Sequence, residues 1–385
     1  MRTGPAGRRK PEGNVATVTP SQDPQENDGG DPQSPPMSRP RRPQRRLITA
    51  TALAVILGFV ALAVPTPYIV EVPGPALNTL GSVNDQKLIS VDGHESYPAD
   101  GSLDMTTIYM LGGAQTRIPF IRVLQAWANP HEDVYPEEAL YPRGATDEQI
   151  SDQNAAEMDD SQQNSIAAAL GSLDIHYTQE LRVVGLATGT NKGVLRTDDV
   201  LKKIDGKPIT DLDMLKAALR QDKKGTPELT VLRAGKAKDV RAKTSMSDDG
   251  QPQLGIYLGN HFTFPFDVKF GLSNVGGPSA GMMLALGIID TLTEGDMTGG
   301  KSFAGTGTID PDGKVGPIGG IAQKLVGAQK GGAEYFLAPA DNCAEVVGRV
   351  PDGLTVIKVS TLDQARKAVE SIGSGADPGS LPACS

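Results

Sequence analysis

An uncharged apolar stretch at residues 47–64, LITATALAVILGFVALAV, divides this chain of 385 residues into two parts. About 20 apolar residues are enough to cross the hydrocarbon core of a bilayer, so the stretch predicts a transmembrane helix over residues 47–66. A helix buried in a globular core would show a polar face, and this one has only Thr49 and Thr51. A cleaved signal peptide usually has a shorter apolar region closer to the N-terminus, but cleavage after Ala63 stays open as an alternative.

Charge is distributed unevenly on either side of this stretch. Residues 1–46 carry nine basic and five acidic side chains and the remainder 28 and 41, which gives net charges of +4 and −13. The first segment is rich in Pro, Gly, Gln and Asp and is expected to be a disordered tail. Five arginines just before residue 47 favour a cytoplasmic N-terminus by the positive-inside rule, so the rest of the chain is expected outside the cytoplasm.

The composition excludes several classes of protein. The net charge of −9 argues against general nucleic-acid binding. The two cysteines have no C-x-x-C spacing and the four scattered histidines form no metalloprotease motif, so neither a metal site nor a cofactor is predicted. Cys343 and Cys384 would both face an oxidising compartment, and the sequence leaves open whether they form a disulfide or remain free thiols.

The segments after the apolar stretch indicate an α+β protein. Residues 67–125 contain two strand-like runs, YIVEVPGPALNTL and GSLDMTTIYML, with Gly/Pro turns. Residues 126–180 are acidic and polar and predict a helical connector with exposed faces and no chemistry of its own. Residues 373–385 are rich in Gly and Ser and are expected to be a flexible tail.

Residues 181–250 predict a compact module of two strands, a helix and two closing strands. Asp205-Gly206 is a hairpin signal, and the leucines within residues 212–221 share one helical face. This order resembles a PDZ domain, although Asp198 stands where that family has a glycine. The resemblance implies peptide binding by strand addition to a sheet edge, with a carboxylate-binding loop that the sequence does not locate. A small structural α+β domain is the alternative.

The motif NVGGPSAG at residues 274–281 is the first candidate for chemistry. It joins a strand-like run to an apolar helix over residues 282–293, and Ser279 stands among small residues at the turn. The first amides of a helix are unsatisfied and its dipole favours negative charge, which suits an oxyanion hole. The same residues would equally fit an ordinary turn in which Ser279 caps the helix.

Lys324 is the second candidate, in the first turn of a helix predicted over residues 321–332. Its neighbours Ile321, Leu325 and Ala328 form an apolar face. Burial and nearby positive potential both lower the pKa of a lysine, and a neutral amine can act as a general base. The alternative for any single lysine is an ordinary place on the surface.

Four segments together, GGPSAG, AGTG (304–307), GKVGPIGGIAQK (313–324) and APADN (338–342), resemble the proteolytic domain of the Lon family. The resemblance implies a proteolytic domain over residues 255–372. It also implies site residues with the following roles: Ser279 as nucleophile, Lys324 as general base, and Thr306, Gly277 and Ala280 as supporting residues.

The full layout, a membrane helix followed by YIVEVPGPA, the PDZ-like module and the Lon-like domain, resembles the YlbL-type membrane-anchored PDZ/Lon-like serine peptidases over residues 47–372. Gly276 departs from many Lon proteins, which carry an aspartate there, and matches the extracytoplasmic branch. The resemblance implies that residues 67–125 join the protease fold, and that the enzyme cleaves exported polypeptides without ATP at the cell membrane. A non-enzymatic PDZ scaffold on an inactive Lon-like fold is the alternative. The native substrate, the cleavage-site preference and homo-oligomerisation stay open.

Residues 295–302, GDMTGGKS, satisfy the P-loop pattern G-x-x-x-x-G-K-[ST]. A P-loop follows a buried strand and opens a helix, so that its amides hold phosphates. This segment has the reverse context, because a predicted helix precedes it and a predicted strand follows. Nucleotide binding is therefore not expected, and the glycines are interpreted as a turn.

Overall fold

The computed structural model describes residues 42–83, 85–113, 116–187, 189–247, 249–272 and 275–384, with side chains from residue 46 onward. The helices of this part are α1 (Arg42–Ala63), α2 (Phe120–Trp127), α3 (Glu137–Leu140), α4 (Asp147–Ser172), α5 (Leu212–Gln221), α6 (Gly281–Leu292), α7 (Ile321–Lys330), α8 (Cys343–Val346) and α9 (Leu362–Gly373).

The strands are more numerous and several are short. They are β1 (Pro65–Thr66), β2 (Tyr68–Asn78), β3 (Ser82–Val83), β4 (Gln86–Lys87), β5 (Ile89–Asp92), β6 (Ser102–Leu111), β7 (Ile118–Pro119), β8 (Asp133–Pro136), β9 (Thr178–Leu186), β10 (Val200–Ile204), β11 (Lys207–Pro208), β12 (Glu228–Arg233), β13 (Lys236–Arg241), β14 (Ser245–Met246), β15 (Pro252–Gln253), β16 (Ile256–Thr263), β17 (Asp267–Phe270), β18 (Ser302–Gly305), β19 (Thr308–Ile309), β20 (Val315–Gly316), β21 (Tyr335–Pro339) and β22 (Thr355–Val359).

Helix α1 contains an apolar window, Arg46–Ala63, that is long enough to cross a membrane by length and composition. The helix begins five residues before the predicted start and ends at Ala63 instead of continuing to residue 66. The prolines at positions 65 and 67 explain this end, because proline lacks an amide donor and obstructs the preceding helical turn. Residues 1–41 of the predicted disordered tail lie outside the described residues.

The first of two six-stranded sheets has the strand order β22-β21-β18-β6-β2-β8. Strands β22, β21, β18 and β6 run parallel, whereas β2 is antiparallel to both β6 and β8. Register partners such as Met105 and Gly305 come from strands separated by the whole of residues 112–301. The sheet is therefore completed only when the segments before and after the inserted module pair with each other.

Helices cover this first sheet with two separate apolar clusters. Buried residues of α4, α6 and α9 pack with Leu103 and Met105 of β6 in one cluster. In the other, Ile321, Leu325 and Ala328 of α7 pack with strand residues that include Phe336. The apolar face predicted for the lysine-bearing helix is thus the face that is buried.

The second sheet, with the order β13-β12-β10-β9-β16 and β11 paired to β10, forms the module together with α5. Its last strand, β16, pairs along the length of β9, so residues 256–263 belong to this sheet and not to the proteolytic domain in which the sequence placed them. The reason is long-range pairing, which local alternation cannot assign to a partner. Leu212, predicted on the apolar face of α5, is 42% exposed, whereas Leu215 and Leu219 are buried.

The glycine that the PDZ family prefers near the start of β10 has a geometric explanation here. Asp198 has φ 69°, a left-handed conformation that glycine adopts freely and aspartate tolerates better than most residues. Its neighbour Asp199 is fully buried, and its carboxylate accepts hydrogen bonds from Nε and Nη2 of Arg233, both at 2.6 Å. The departure from the family pattern therefore leaves the local fold intact.

The C-terminal segment is attached to the protein body, in contrast to the flexible tail predicted over residues 373–385. Cys343 and Cys384 form a disulfide with a Cα–Cα distance of 4.9 Å, which resolves the alternative left by the sequence. The amide of Lys358 on β22 donates to the carbonyl of Pro382 at 2.8 Å. These long-range links hold a segment whose composition alone resembles a linker.

Candidate active site

Ser279 lies two residues before α6, in the turn that joins the glycine-rich loop to this helix. Its carbonyl accepts hydrogen bonds from the Gly307 amide and the Thr306 hydroxyl, both at 2.9 Å. The Met282 amide in the first turn of α6 donates to the Gly307 carbonyl at 3.0 Å. The turn is therefore fixed against the chain that leaves β18, and the half-buried Ser279 side chain remains partly open to solvent.

The amides around Ser279 divide into engaged and free donors. Gly277 has φ 83°, and its amide donates to the carbonyl of Asn154 at 2.9 Å. Within the described part of the chain, the amides of Ser279 and Ala280 have no acceptor. Free amides at the start of a helix can stabilise an anion, so Ser279 and Ala280 are the donors available for an oxyanion, whereas Gly277 shapes the turn.

Lys324 reaches the same point from the opposite face of the sheet. It lies in the first turn of α7, and its Nζ is 2.7 Å from Ser279 Oγ and 2.9 Å from Thr306 Oγ1. Thr306 directly follows β18, so the starts of α6 and α7 meet at the carboxyl end of this central strand. Three predicted site residues, distant in sequence, are thus brought within hydrogen-bonding distance.

Burial determines the protonation of the lysine. The Lys324 side chain is only 2% exposed, and burial lowers its pKa from an ordinary 10.5 to about 7, while the Glu71 carboxylate acts in the opposite direction. Desolvation disfavours the charged ammonium, which explains the sign. A substantial fraction of the amine is therefore neutral near pH 7 and able to accept the Ser279 proton.

Glu71 is a further residue of this site, which no sequence motif indicates. It lies on β2, is buried, and faces Asp133 across the β2–β8 pair. Burial first and Asp133 second raise the pKa of Glu71, and the Lys324 ammonium lowers it. The available signal was an acidic residue in the otherwise apolar strand YIVEVPG.

Asp133 connects this acidic pair to α7. Its Oδ2 accepts from Gln323 Nε2 at 2.9 Å and lies 3.2 Å from Nη1 of Arg349. Gln323 is completely buried and adjoins Lys324 in sequence.

Gly320, at the start of α7, has φ 69°, and a Cβ there would lie 3.2 Å from Glu71 Oε2. The absence of a side chain at Gly320 thus permits the Glu71 carboxyl group to approach the N-terminus of α7.

Helix α4 lies in the segment predicted to be an exposed connector without chemistry, and the structure corrects this prediction. Its C-terminal half is buried against α6. Ser161 donates to the carbonyl of Pro278 at 3.1 Å, and the Ser165 hydroxyl lies between the carbonyls of Ser161, at 2.6 Å, and Gly281, at 2.9 Å. Small polar residues such as these look like a solvent-facing stripe in a sequence. Their contacts on both sides of Ser279 make α4 a support of the turn that carries this serine.

The P-loop-like segment has the context expected for a turn. It follows α6 and precedes β18, and Gly295, Gly299 and Gly300 all have positive φ. The Lys301 amine donates to the carbonyl of Ile372 at the end of α9. The lysine therefore contributes to packing between helix α9 and this turn.

Comparison with protein-family models matches residues 267–370 to the Lon protease (S16) C-terminal proteolytic domain. The Lon protease of Azospirillum brasilense is 40% identical over 103 residues, which are 26% of this chain and 12% of that protein. The Lon protease of Rickettsia typhi is 28% identical over 190 residues, which are 46% of this chain and 24% of that protein. Lon protease 1 of Bacillus subtilis is 33% identical over 130 residues, which are 32% of this chain and 16% of that protein.

This chain therefore spans at most about a quarter of the length of these relatives, 24% in the case of Rickettsia typhi. The match of residues 267–370 to a Lon-type proteolytic domain supports a serine peptidase. Structural neighbours include the PDZ domains of the SdrC-like proteins from Listeria monocytogenes and Listeria innocua, 21% and 20% identical. They cover 20% and 21% of this chain and 85% and 96% of the solved domains, with TM-scores of 0.19 and 0.20.

Proposed function

We propose that this protein is a membrane-anchored, ATP-independent serine endopeptidase with a Ser279–Lys324 dyad, acting on exported polypeptides. The observation that carries the proposal is the 2.7 Å contact between Lys324 Nζ and Ser279 Oγ, in surroundings where burial lowers the lysine pKa to about 7. A nucleophile and a base within hydrogen-bonding distance are the minimum requirement for acyl transfer. The Lon-type domain over residues 267–370 supports the same reaction class.

The dyad would act in two half-reactions. Neutral Lys324 accepts the hydroxyl proton of Ser279 as Oγ attacks the scissile carbonyl carbon, and the ammonium then protonates the leaving amine. Water next attacks the Ser279 ester, loses a proton to Lys324 and releases the acid with the serine restored. Thr306 Oγ1, which accepts from Nζ while its own proton goes to the Ser279 carbonyl, keeps the amine aimed at the nucleophile in both steps.

The negative charge that develops on the substrate oxygen would be held by the free amides at Ser279 and Ala280. Fixed backbone donors are effective because they need no reorganisation at the moment of reaction. The contacts of Gly307 and Thr306 with the Ser279 carbonyl orient the peptide group whose other end is the Ala280 amide. The turn thus positions both the nucleophile and its oxyanion donor.

The module of residues 178–263 would hold the polypeptide before cleavage. A groove runs between α5 and β15–β16, and its apolar lining includes Leu215, Leu219 and Leu258. Strand β16 ends the sheet order, so an extended peptide can add to its outer side by backbone hydrogen bonds. Substrate engagement by strand addition fits an enzyme whose targets are unfolded or have free ends.

Anchoring and orientation complete the proposal. The apolar part of the window Arg46–Ala63 would span the bilayer, with the five arginines before residue 47 in the cytoplasm and the dyad outside. Protease added outside intact cells should then remove the module and leave the N-terminal tail. Protection of the whole chain would overturn this orientation and leave the dyad unaffected.

The test of the dyad is cleavage of an unfolded polypeptide by the full chain in vesicles, with and without ATP. Ser279→Ala and Lys324→Ala should abolish cleavage, and ATP should have no effect. The matched controls are Ser360→Ala, an exposed serine, and Lys330→Met, at the exposed end of α7, which should both cleave at the wild-type rate. Wild-type cleavage by Ser279→Ala would refute the mechanism, and binding without cleavage by every form would favour the scaffold alternative.

A further inference from the structure

The short helix α2 is attached to the chain at the point where it leaves α1. The Phe120 amide donates to the Val64 carbonyl at 2.9 Å, and Val64 is the first residue after α1. Strand β1 pairs antiparallel with β7, and the Thr66 hydroxyl donates to the Ile118 carbonyl at 3.0 Å. The start of α2 is therefore within one hydrogen bond of the end of the apolar helix.

Helix α2 is apolar on two faces. Val123 and Ala126 are fully buried in a cluster with Val70 and Ile118. On the outer face, Ile121 and Trp127 are 38% and 59% exposed, and the half-buried Leu124 lies between them. A helix that only covers a core needs a single apolar stripe, so the outer stripe requires a further explanation.

Aromatic residues are concentrated at this place. Trp127 is the only tryptophan of the chain, and its ring makes edge contacts with Tyr68 at 6.2 Å and Phe120 at 6.5 Å. Tryptophan and tyrosine are enriched at the membrane–water interface, where a ring can be partly immersed while its polar atom stays hydrated. An exposed tryptophan on an apolar helix face is the composition of an interfacial segment.

The dimensions agree with a position at the interface. If α1 spans the bilayer, its end at Ala63 lies at the boundary of the hydrocarbon core, and Val64 and Phe120 lie in the headgroup layer. The eight residues of α2 extend about 12 Å from there, and a helix that lies in the interface buries its apolar face about 5–10 Å deep at the boundary between headgroups and acyl chains.

We infer that the outer face of α2, formed by Ile121, Leu124 and Trp127, is seated in the interfacial layer of the bilayer that α1 spans. This inference rests on the anchoring part of the proposed function. It gives the extracytoplasmic portion a defined face toward the membrane, because Tyr68, which contacts Trp127, begins the strand β2 that also carries Glu71.

The fluorescence of the single tryptophan, Trp127, can report on the surroundings of α2. The full chain is reconstituted in phosphatidylcholine vesicles, and Trp127 emission is measured with aqueous iodide and with lipids that carry a nitroxide either near the headgroup or deep in the acyl chain. Seating predicts a blue-shifted emission, protection from iodide, and stronger quenching by the shallow than by the deep nitroxide. The matched control is Trp127→Phe combined with Tyr257→Trp, which moves the only tryptophan to a residue of the module that is 62% exposed. It should be quenched by iodide and not by the lipids.

Each other result overturns the inference in a recognisable way. Iodide quenching of Trp127 in a chain that co-floats with vesicles would leave anchoring intact and refute the seating of α2. Protection from both iodide and nitroxide lipids would show that protein, such as a second copy of the chain, covers this face instead. Failure to co-float would remove the anchor and the inference together, while cleavage measured on the same sample reports separately on the dyad.

Discussion

The lowered pKa of Lys324 predicts how the reactivity of Ser279 depends on pH. Relative to an ordinary lysine at 10.5, a pKa of about 7 raises the ratio of neutral to charged amine by about 3,000-fold. Only the neutral amine can accept the serine proton. The acylation rate should therefore be about one-fiftieth of its pH 7 value at pH 5 and about one-fifth at pH 6, and should level off above about pH 8.

A fluorophosphonate, which phosphonylates nucleophilic serines, tests the reactivity of Ser279 without the need for a polypeptide substrate. Its second-order rate constant with the full chain is measured from pH 5 to pH 10. Ser279→Ala should not be labelled, Lys324→Met should lose both rate and pH dependence, and Lys330→Met should retain the wild-type curve. A flat wild-type curve, or one that rises only above pH 9, would refute the assignment of Lys324 as a base with a lowered pKa.

The same shift has a consequence for stability, whose sign follows from proton linkage. Below pH 7 the folded and unfolded states both hold the Lys324 proton, and the folded state bears the cost of the buried charge. Between pH 7 and 10.5 the folded state releases its proton first, so stability rises with pH. Lys324→Met should thus stabilise the protein below pH 7, by up to about 5 kcal/mol, with the gain disappearing by about pH 10.5. Denaturant unfolding of both proteins at pH 6 and pH 10 tests this, and an equal difference at the two values would contradict it.

Three further predictions concern Glu71 beside Lys324, the buried Asp290 near the end of α6, and the C-terminal disulfide. Glu71→Gln removes a carboxylate that raises the pKa of Lys324, so the midpoint of the pH dependence of fluorophosphonate labelling should move below pH 7. An unchanged midpoint would mean that Glu71 carries no charge at that pH. Burial raises the pKa of Asp290 from 3.8 to about 6, so its contribution to stability is lost as pH rises through this range. Asp290→Asn should therefore stabilise the protein at pH 7 by up to about 3 kcal/mol and not at pH 4, in thermal unfolding at both values. Cys384→Ser opens a disulfide that closes a separation of 41 residues and should lower the free energy of unfolding by about 4 kcal/mol, and the variant should unfold like the reduced wild type.

Much of the site could be predicted from local sequence because its parts are local. Ser279 and Lys324 each stand at the start of an apolar helix, and the periodicity of residues 281–292 and 321–330 predicts both helices closely. The apolar stretch of α1 and the Asp205-Gly206 hairpin are read in the same way, since each depends on neighbours only a few positions away.

The tertiary structure decided the features that depend on distant partners. Strand β16 joins the sheet of the module, Ser161 and Ser165 of α4 support the turn that carries Ser279, and Cys384 is bonded to Cys343. Each is made by segments between 41 and 117 residues apart, for which a local pattern gives no partner.

The lysine shows the division most clearly. Its residue type and its place in the first turn of α7 belong to the sequence, and they make it a candidate base. Three features exist only after β6 and β18, which residues 112–301 separate in the sequence, have paired in the sheet. They are the extent of burial of Lys324, its 2.7 Å contact with Ser279, and the opposing charge of Glu71 on β2. Since burial is the main cause that lowers the pKa of Lys324, the chemistry of this residue is a property of the folded chain.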